Sequence, residues 1–318
     1  VALPEMKRFG YDSKFAAGAV AAGGTLGILI PPSTGFIIYA ILTEESIGRL
    51  FLAGVIPGLI LSGCFMAAIW ILTMLNPAIG PAGEKFGFVD RIKFLIRGTA
   101  ILMIIIISIG GIYGGAFTPV EAAAVGAVLA FLFSLTRKEF TLKGFIDALL
   151  KTVATTVMIY FIIIGASVFS PFLALTQIPS TLAHTLIEMA LHPVVLLALV
   201  LAVFIFLGTF LDGFAMMVLV LPIVLPIIQQ SGIAEVLGIT SESDLIIWFG
   251  VIMVIVLEMA LISPPVGMNV FVVKSVSDIS MKEIYRGIMP FWVAMLVCLI
   301  VIVTFPQLSL YLPATMKN

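Results

Sequence analysis

Charged residues are scarce in this chain of 318 residues. Asp, Glu, Lys and Arg make up 10% of the sequence and hydrophobic residues 62%, whereas soluble domains carry about 25% charged residues. The formal net charge of −1 excludes the strongly basic character of a nucleic-acid-binding protein. We therefore expect an all-α polytopic membrane protein that is embedded in a lipid bilayer and binds no nucleic acid.

Cysteines and phosphate-binding loops are also rare or absent. Cys64 and Cys298 both lie in apolar segments, so the sequence predicts neither a disulfide nor a metal-binding spacing. A Walker-type phosphate loop is missing from the sequence, so the chain is not expected to hydrolyse ATP. The opening stretch VALPEMKRFGYD has the character of a repeat interior, and we expect the natural chain to begin further upstream.

Two pairs of adjacent prolines interrupt apolar segments. Pro31-Pro32 lies in the stretch GTLGILIPPST, and Pro264-Pro265 recurs near the other end of the chain. Proline lacks an N–H group and breaks a helix, and the freed backbone groups are tolerated in a membrane only where protein or a watery cavity satisfies them. Aligning the two pairs also matches Gly54 with Gly287 and Pro57 with Pro290. Broken helices at corresponding positions point to the binding site of a transporter.

The remaining apolar segments predict continuous spans and one surface helix. Lys138–Lys151 is amphipathic and is expected to lie at the membrane surface. The motif Thr118-Pro119-Val120-Glu121 predicts a helix capping box, which gives Glu121 a structural role. The predicted continuous spans are Leu50–Leu75, Ile92–Tyr113, Pro119–Leu135, Thr152–Phe172 and Gly287–Phe305.

The segment Pro193–Ile228 is too long for one span and too short for two spans with a loop, since each span needs about 20 residues. Its middle reads GTFLDG, which predicts a re-entrant hairpin. An even number of crossings here leaves only Arg49 and Lys317, among the 16 basic residues, outside the cytoplasm, as the positive-inside rule favours. The two broken helices then run in opposite directions, as inverted repeats do.

The predicted binding site lies at the half-helix ends. A helix N-terminus offers free N–H groups and partial positive charge to an anion, and carbonyl groups at a helix C-terminus suit a sodium ion. Asp212 lies at the hairpin tip, and Glu258 has either a coupling role or a structural hydrogen bond. The substrate-binding candidates are Pro32, Ser33, Thr34, Thr209, Gly267 and Asn269. The cation-binding candidates are Gly27, Ile30, Gly208, Asp212, Glu258 and Ser263.

Four stretches carry a resemblance to a known family: GTLGILIPPST, SIGRLFLAGVIPGLILSG, GTFLDGFAMMVLVLPIVLPI and MALISPPVGMNVFV. They resemble the large membrane subunit of the tripartite ATP-independent periplasmic (TRAP) transporters, and the resemblance covers essentially the whole chain. It implies a sodium-driven secondary importer of the bacterial inner membrane that works by an elevator motion. The implied substrate is an organic acid such as a C4-dicarboxylate or sialic acid. The implied partners are a periplasmic binding protein and a small membrane subunit of four helices.

The sequence also predicts a division into domains. Residues 1–45 and 193–277 are expected to form the two repeats of a transport domain. Residues 46–192 would supply scaffold spans, the surface arm helix and connections, and residues 278–318 the last scaffold span and the C-terminus. The alternatives are a divalent-anion/sodium symporter that needs no binding protein, a membrane-embedded enzyme, and a channel or structural subunit. An enzyme would need a visible nucleophile–base pair or metal ligands, and a channel would not need inverted broken helices.

Overall fold

The structure is a computed structural model that describes residues 2–81, 87–136 and 140–316, and within helices it leaves aside the side chains of residues 88–98, 100 and 170. Lys138 and Lys317 therefore lie outside the described residues. Every regular element within those ranges is a helix. The helices are α1 (Ala2–Arg8), α2 (Ser13–Leu29), α3 (Thr34–Thr43), α4 (Ile47–Leu75), α5 (Phe88–Tyr113), α6 (Pro119–Thr136), α7 (Leu142–Thr176), α8 (Ile178–Glu188), α9 (Pro193–Gly208), α10 (Gly213–Gln230), α11 (Ile233–Leu237), α12 (Glu242–Leu261), α13 (Met268–Ser275), α14 (Met281–Thr304) and α15 (Gln307–Ala314), with a 3-10 turn at Pro77–Ile79.

Six of the described helices are long and apolar enough to cross a membrane: α4, α6, α7, α10, α12 and α14. The pair α2 and α3, bent by 42° at the first proline break, would make a seventh span. These helices match the predicted spans at Leu50–Leu75, Pro119–Leu135 and Gly287–Phe305. Of these six helices, α12 is the most enclosed, because 89% of its most apolar stretch is buried. A helix that faced lipid on one side would leave that side exposed.

The chain divides into two compact units. The first contains Val1–Gly83 and Thr176–Ala314, and the second contains Glu84–Leu175 and Thr315–Asn318. The first unit therefore holds both proline breaks and the predicted hairpin. It also holds α4 and α14, which were predicted to be scaffold spans, and both of them pack against α2. The division into a transport domain and a scaffold stays a prediction.

Glycine permits a very close crossing of α2 and α14. A Cβ atom placed on Gly287 would lie 1.9 Å from the carbonyl oxygen of Lys14, and one placed on Gly18 would lie 2.1 Å from the carbonyl oxygen of Gly287. Only glycine fits such a backbone contact. The pair Gly23 and Gly27 on the same helix has the GxxxG spacing that permits close packing in membranes. Within the described residues it makes no such contact, because a Cβ at either position would meet no atom within 4 Å.

The second unit is built from α5, α6 and α7. Helix α6 begins with the predicted capping box: the backbone N–H and the hydroxyl of Thr118 each donate to Glu121 Oε2 at 2.8 Å. In return, the backbone N–H of Glu121 donates to Thr118 Oγ1 at 3.3 Å. The structural role predicted for Glu121 is confirmed, since its carboxylate satisfies the orphan donors of the first helical turn.

Helix α7 differs from its prediction. The sequence suggested a surface helix, Lys138–Lys151, followed by a separate span, Thr152–Phe172. The structure instead has one continuous helix from Leu142 to Thr176, 35 residues long, with Pro171 inside it. The composition changes from amphipathic to apolar near Lys151, and with it the preference of the helix for the membrane surface or the membrane interior. No helix-breaking residue lies at this point, so the helix continues.

Candidate functional site

The GTFLDG motif connects two helices in the segment predicted to be a re-entrant hairpin, and the return of the chain to the same side of the membrane stays a prediction. Helix α9 ends at Gly208 and α10 begins at Gly213. The hydroxyl of Thr209 donates to the carbonyl oxygen of Phe206 at 2.8 Å and so satisfies a free carbonyl at the end of α9. Asp212 accepts the N–H groups of Phe214 and Ala215 at Oδ1, 3.0 and 3.3 Å away. This acid, a predicted cation ligand, therefore has a structural role as the N-cap of α10.

The hairpin tip packs against the last turns of α12 through its two glycines. A Cβ atom on Gly208 would lie 2.6 Å from the Ala260 side chain, and one on Gly213 would lie 2.9 Å from that of Leu257. Alanine at position 208 would clash with the Cβ atom of Ala260, whereas alanine at position 213 would require the Leu257 side chain to shift. Glycine thus brings the backbone of Gly208, a predicted cation-site residue, beside the helix that leads into the second proline break.

The second break places backbone oxygens close together. Helix α12 ends at Leu261, the Pro264-Pro265 peptide bond is cis, and Gly267 has a φ of 55°. A Cβ atom on Gly267 would lie 2.9 Å from the carbonyl oxygen of Ser263 and 3.3 Å from that of Leu261. The two carbonyl oxygens therefore lie close to one point beside Gly267. Backbone carbonyl oxygens are the ligands that coordinate sodium at such unwound helices.

The helix that follows this break begins without a side-chain cap. Gly267 is the N-cap residue of α13, and no side chain caps that end. Asn269 lies in the first turn of α13 and is half-buried. An uncapped helix N-terminus leaves backbone N–H groups available and carries partial positive charge. This end of α13 can therefore accept a carboxylate.

Ser263 is held by hydrogen bonds on both sides. Its hydroxyl donates to the carbonyl oxygen of Met259 at 2.6 Å and accepts the indole N–H of Trp292, on α14, at 2.8 Å. The hydroxyl of Tyr285, also on α14, lies 2.8 Å from the carbonyl oxygen of Val266 and 3.1 Å from that of Pro265, so it donates to this pair. A serine hydroxyl has two lone pairs, so Ser263 keeps one for a further ligand.

Glu258 lies in the last turn of α12 and is completely buried. Neither of its carboxyl oxygens has a hydrogen-bond partner among the described residues. An ionised carboxylate in these surroundings is costly, and the partial negative charge at a helix C-terminus raises that cost. Glu258 therefore requires a proton or a cation. The structural hydrogen bond to a neighbouring helix, one of its two predicted roles, is not formed.

The first proline break is organised differently. The Ser33 hydroxyl donates to the carbonyl oxygen of Ile28 and accepts the N–H of Phe36 at 3.3 Å, which makes Ser33 the N-cap of α3. Its hydroxyl thus bonds within the break, and like that of Ser263 it keeps one lone pair, so substrate binding by Ser33 stays a prediction. Thr34 and Pro32 are exposed, as are Gly27 and Ile30, the end of α2. Its Pro31-Pro32 bond is cis, like the second.

Two of the predicted residues are brought together in one cavity. Thr209 from the hairpin tip and Ser263 from the second break line a cavity of about 440 Å³, and Tyr285 and Trp292 complete its polar lining. The rest of the wall is apolar and includes Ile205 and Ile288. The first break contributes no residue to this cavity, so Ser33 and Thr34 are not grouped with Thr209 and Ser263.

Tyr285 and Trp292 were not among the site residues predicted from the sequence. They are seven positions apart on α14 and so share one face of that helix. Aromatic residues at this spacing are common in membrane helices, and only the fold reveals that they reach a break some twenty to thirty residues earlier in the chain.

Comparisons with known proteins identify the family. The family model described as "Tripartite ATP-independent periplasmic transporter, DctM component" matches residues 1–308. The C4-dicarboxylate TRAP transporter large permease protein DctM of Pseudomonas aeruginosa is 37% identical over 98% of this chain and 70% of its own length. The sialic acid TRAP transporter large permease protein SiaM of Vibrio cholerae is 34% identical, with the same coverage of both chains.

A more distant relative is the isethionate TRAP transporter permease protein DctMQ of Oleidesulfovibrio alaskensis. It is 28% identical over 97% of this chain and 47% of its own length. The relatives are permease proteins of transporters rather than enzymes, so the alternative of a membrane-embedded enzyme is not retained. With its apolar helices, the protein is a multi-pass protein of the bacterial inner membrane. The chain belongs to the large-permease, or DctM, component of the TRAP transporters.

Proposed function

We propose that this permease imports a small organic acid across the inner membrane by coupling its movement to sodium. The observation that carries this proposal is the second proline break, where the carbonyl oxygens of Leu261 and Ser263 lie close to one point beside Gly267. The same break begins α13 with an uncapped N-terminus. A cation and a carboxylate thus find complementary groups within a few residues of each other.

The proposed sodium site uses the carbonyl groups at the second break together with the hydroxyl of Ser263. Glu258 lies in the preceding turn and has no hydrogen-bond partner in the described part of the chain. A bound sodium ion would compensate its charge, and a proton would do so when the site is empty. Asp212 would serve mainly as the helix cap that keeps the hairpin tip in place.

The proposed substrate is a C4-dicarboxylate, a sialic acid or a similar carboxylate, because relatives that cover nearly the whole chain are named for these compounds. The anion would bind at the N-terminus of α13 near Asn269 and Thr209. The hydroxyl of Thr209 already donates to the carbonyl oxygen of Phe206. It could donate to the anion only after that hydrogen bond is broken. The N–H groups of the helix end would carry most of the binding.

We further propose that transport requires two partners that the family resemblance implies. One is a periplasmic binding protein that delivers the substrate, and the other is a small membrane subunit. Positively charged side chains that could capture a dilute anion are absent from the candidates at the break. The alternative is a sodium symporter that takes the anion directly from solution.

The proposed movement is an elevator motion of one compact unit. The packing of α4 and α14 with the broken helices supports a moving body that includes both, in contrast to the division made from the sequence. The unit that contains α5, α6 and α7 would then be the scaffold.

Uptake into proteoliposomes tests this function. The permease would be reconstituted with its small subunit, and uptake of radiolabelled succinate and sialic acid would be measured with and without the matching binding protein. We expect uptake only with an inward sodium gradient and the binding protein. Undiminished uptake in potassium buffer with a protonophore would contradict sodium coupling. Uptake at micromolar substrate without the binding protein would favour the symporter alternative.

A further inference from the structure

The face of α14 that carries Tyr285 and Trp292 contacts the second break through a side-chain hydroxyl group and an indole group. Trp292 donates its indole N–H to the Ser263 hydroxyl oxygen at 2.8 Å, and Tyr285 donates to the Val266 carbonyl oxygen at 2.8 Å. Both side chains are half-buried and line the same cavity as Ser263. They therefore approach the break from a helix that contributes no residue to the break itself.

These two bonds act where the backbone has the fewest partners of its own. Pro264 and Pro265 have no N–H group to hold the chain, and unsatisfied polar groups are costly at membrane depth. One lone pair of the Ser263 hydroxyl accepts the indole N–H of Trp292. The hydroxyl proton of Ser263 is donated to the carbonyl oxygen of Met259. The remaining lone pair of Ser263 then has a single direction, which is what a cation ligand requires.

We propose that Trp292 and Tyr285 are positioning residues that set the sodium affinity of the second break. Trp292 acts by orienting the Ser263 hydroxyl, and Tyr285 acts by holding the Val266 carbonyl and the loop that leads to Gly267. Neither side chain contacts the ion. This inference rests on the proposed sodium coupling and adds to it the residues of α14 that shape the site.

The structure offers a matched control for the loss of an indole hydrogen bond. Trp248, on α12, donates its indole N–H to the carbonyl oxygen of Ile302, on α14, at 3.1 Å. Trp248 thus joins α12 to α14, whereas Trp292 joins α14 to the break, and Trp248 lies towards the opposite end of α12 from the break. Replacing either tryptophan with phenylalanine removes one indole donor, and only one of the two donors reaches Ser263.

The experiment is a double-mutant cycle read by sodium-dependent thermal stabilisation of the purified permease. Ionic strength is held constant with KCl, and the half-saturating sodium concentration is taken from the rise in unfolding temperature. We expect Trp292→Phe to raise this concentration by about two- to tenfold, the factor that the net free energy of one hydrogen bond supplies. Ser263→Ala should raise it as well, and Trp292→Phe should add nothing in the Ser263→Ala background. Trp248→Phe should lower the unfolding temperature without changing the half-saturating concentration.

An unchanged half-saturating concentration in Trp292→Phe would overturn the role of Trp292, as would independent effects of the two substitutions in the cycle. An equal shift in Trp248→Phe would show that any lost indole bond has this effect, which also contradicts the proposal. Tyr285→Phe gives a second test, with a shift in the same direction expected, and serves alone if Trp292→Phe does not fold. A wild-type protein that sodium fails to stabilise would instead refute the sodium coupling, and this inference with it.

Discussion

Gly267 is the residue at which one added methyl group should have the largest effect on the proposed sodium site. Its φ of 55° is strained for alanine, and the new Cβ would lie 2.9 Å from the Ser263 carbonyl oxygen. We expect Gly267→Ala to raise the sodium concentration that gives half-maximal uptake at least tenfold. Gly23→Ala is the control, because a Cβ there meets nothing within 4 Å, and its sodium response should match the wild type. Equal responses in the two variants would contradict a site at Gly267.

Replacing Glu258 should affect sodium coupling much more than folding. Glutamine has nearly the shape of a protonated glutamic acid, so Glu258→Gln should leave the unfolding temperature within a few degrees of the wild type. Because glutamine carries no charge to compensate sodium, we expect the half-saturating sodium concentration for uptake to rise about tenfold or more, the factor that about 1.4 kcal/mol represents. Sodium titrations of uptake measure this. A normal titration would mean that the buried carboxyl only fills space.

Individual residues also show how far the sequence could predict the site. The proline pairs were identifiable because the effect of proline on a helix is local, and the Thr118–Glu121 capping box follows from spacing alone. The hydrogen bond between Trp292 and Ser263 joins residues far apart in the chain, so no local sequence pattern predicts it. The capping role of Ser33 was not predicted for a related reason, because a hydroxyl beside a break can cap the next helix as readily as bind a ligand.

At the scale of helices, the crossing of α2 and α14 is the contact most sensitive to side-chain size. A Cβ on Gly287 would lie 1.9 Å from the Lys14 carbonyl oxygen, so Gly287→Ala must push the two helices apart. We expect a fall of several degrees in the unfolding temperature in detergent and a lower yield of folded protein. Gly63→Ala on α4 is the matched control. A Cβ there meets nothing within 4 Å. In a helix interior, alanine is more favourable than glycine by up to about 1 kcal/mol. Equal unfolding temperatures in the two variants would contradict the close crossing.

The helices also show which boundaries composition can predict. The hairpin was predictable because glycine and a polar tip interrupt an apolar segment of unusual length. The boundary expected near Lys151 was not real, since amphipathic and apolar segments joined without a breaker form one helix. The grouping of α4 and α14 with the broken helices depends on packing between distant segments, which hydropathy does not record.

For the whole molecule, the proposed motion predicts which pairs of positions keep a constant distance and which do not. Spin labels would be placed at exposed positions in a background without Cys64 and Cys298: Met66 on α4, Val236 on α11, and Val128 on α6. Met66 and Val236 lie in the first compact unit, and Val128 lies in the second. Distances between labels would be measured in nanodiscs with and without sodium, and again with substrate and binding protein.

If the first unit moves as one body, the distance from Met66 to Val236 stays constant. The distances from Val128 to both of them should then change together as sodium and substrate shift the populations of the two states. If α4 belonged to a static scaffold, as its continuous helix suggested, Met66 and Val128 would keep their distance while Met66 and Val236 separated. The two divisions of the chain therefore predict opposite outcomes for the same pair of labels. Three constant distances would contradict an elevator motion of either body, because a translation of one unit along the membrane normal changes the distances between labels on the two units.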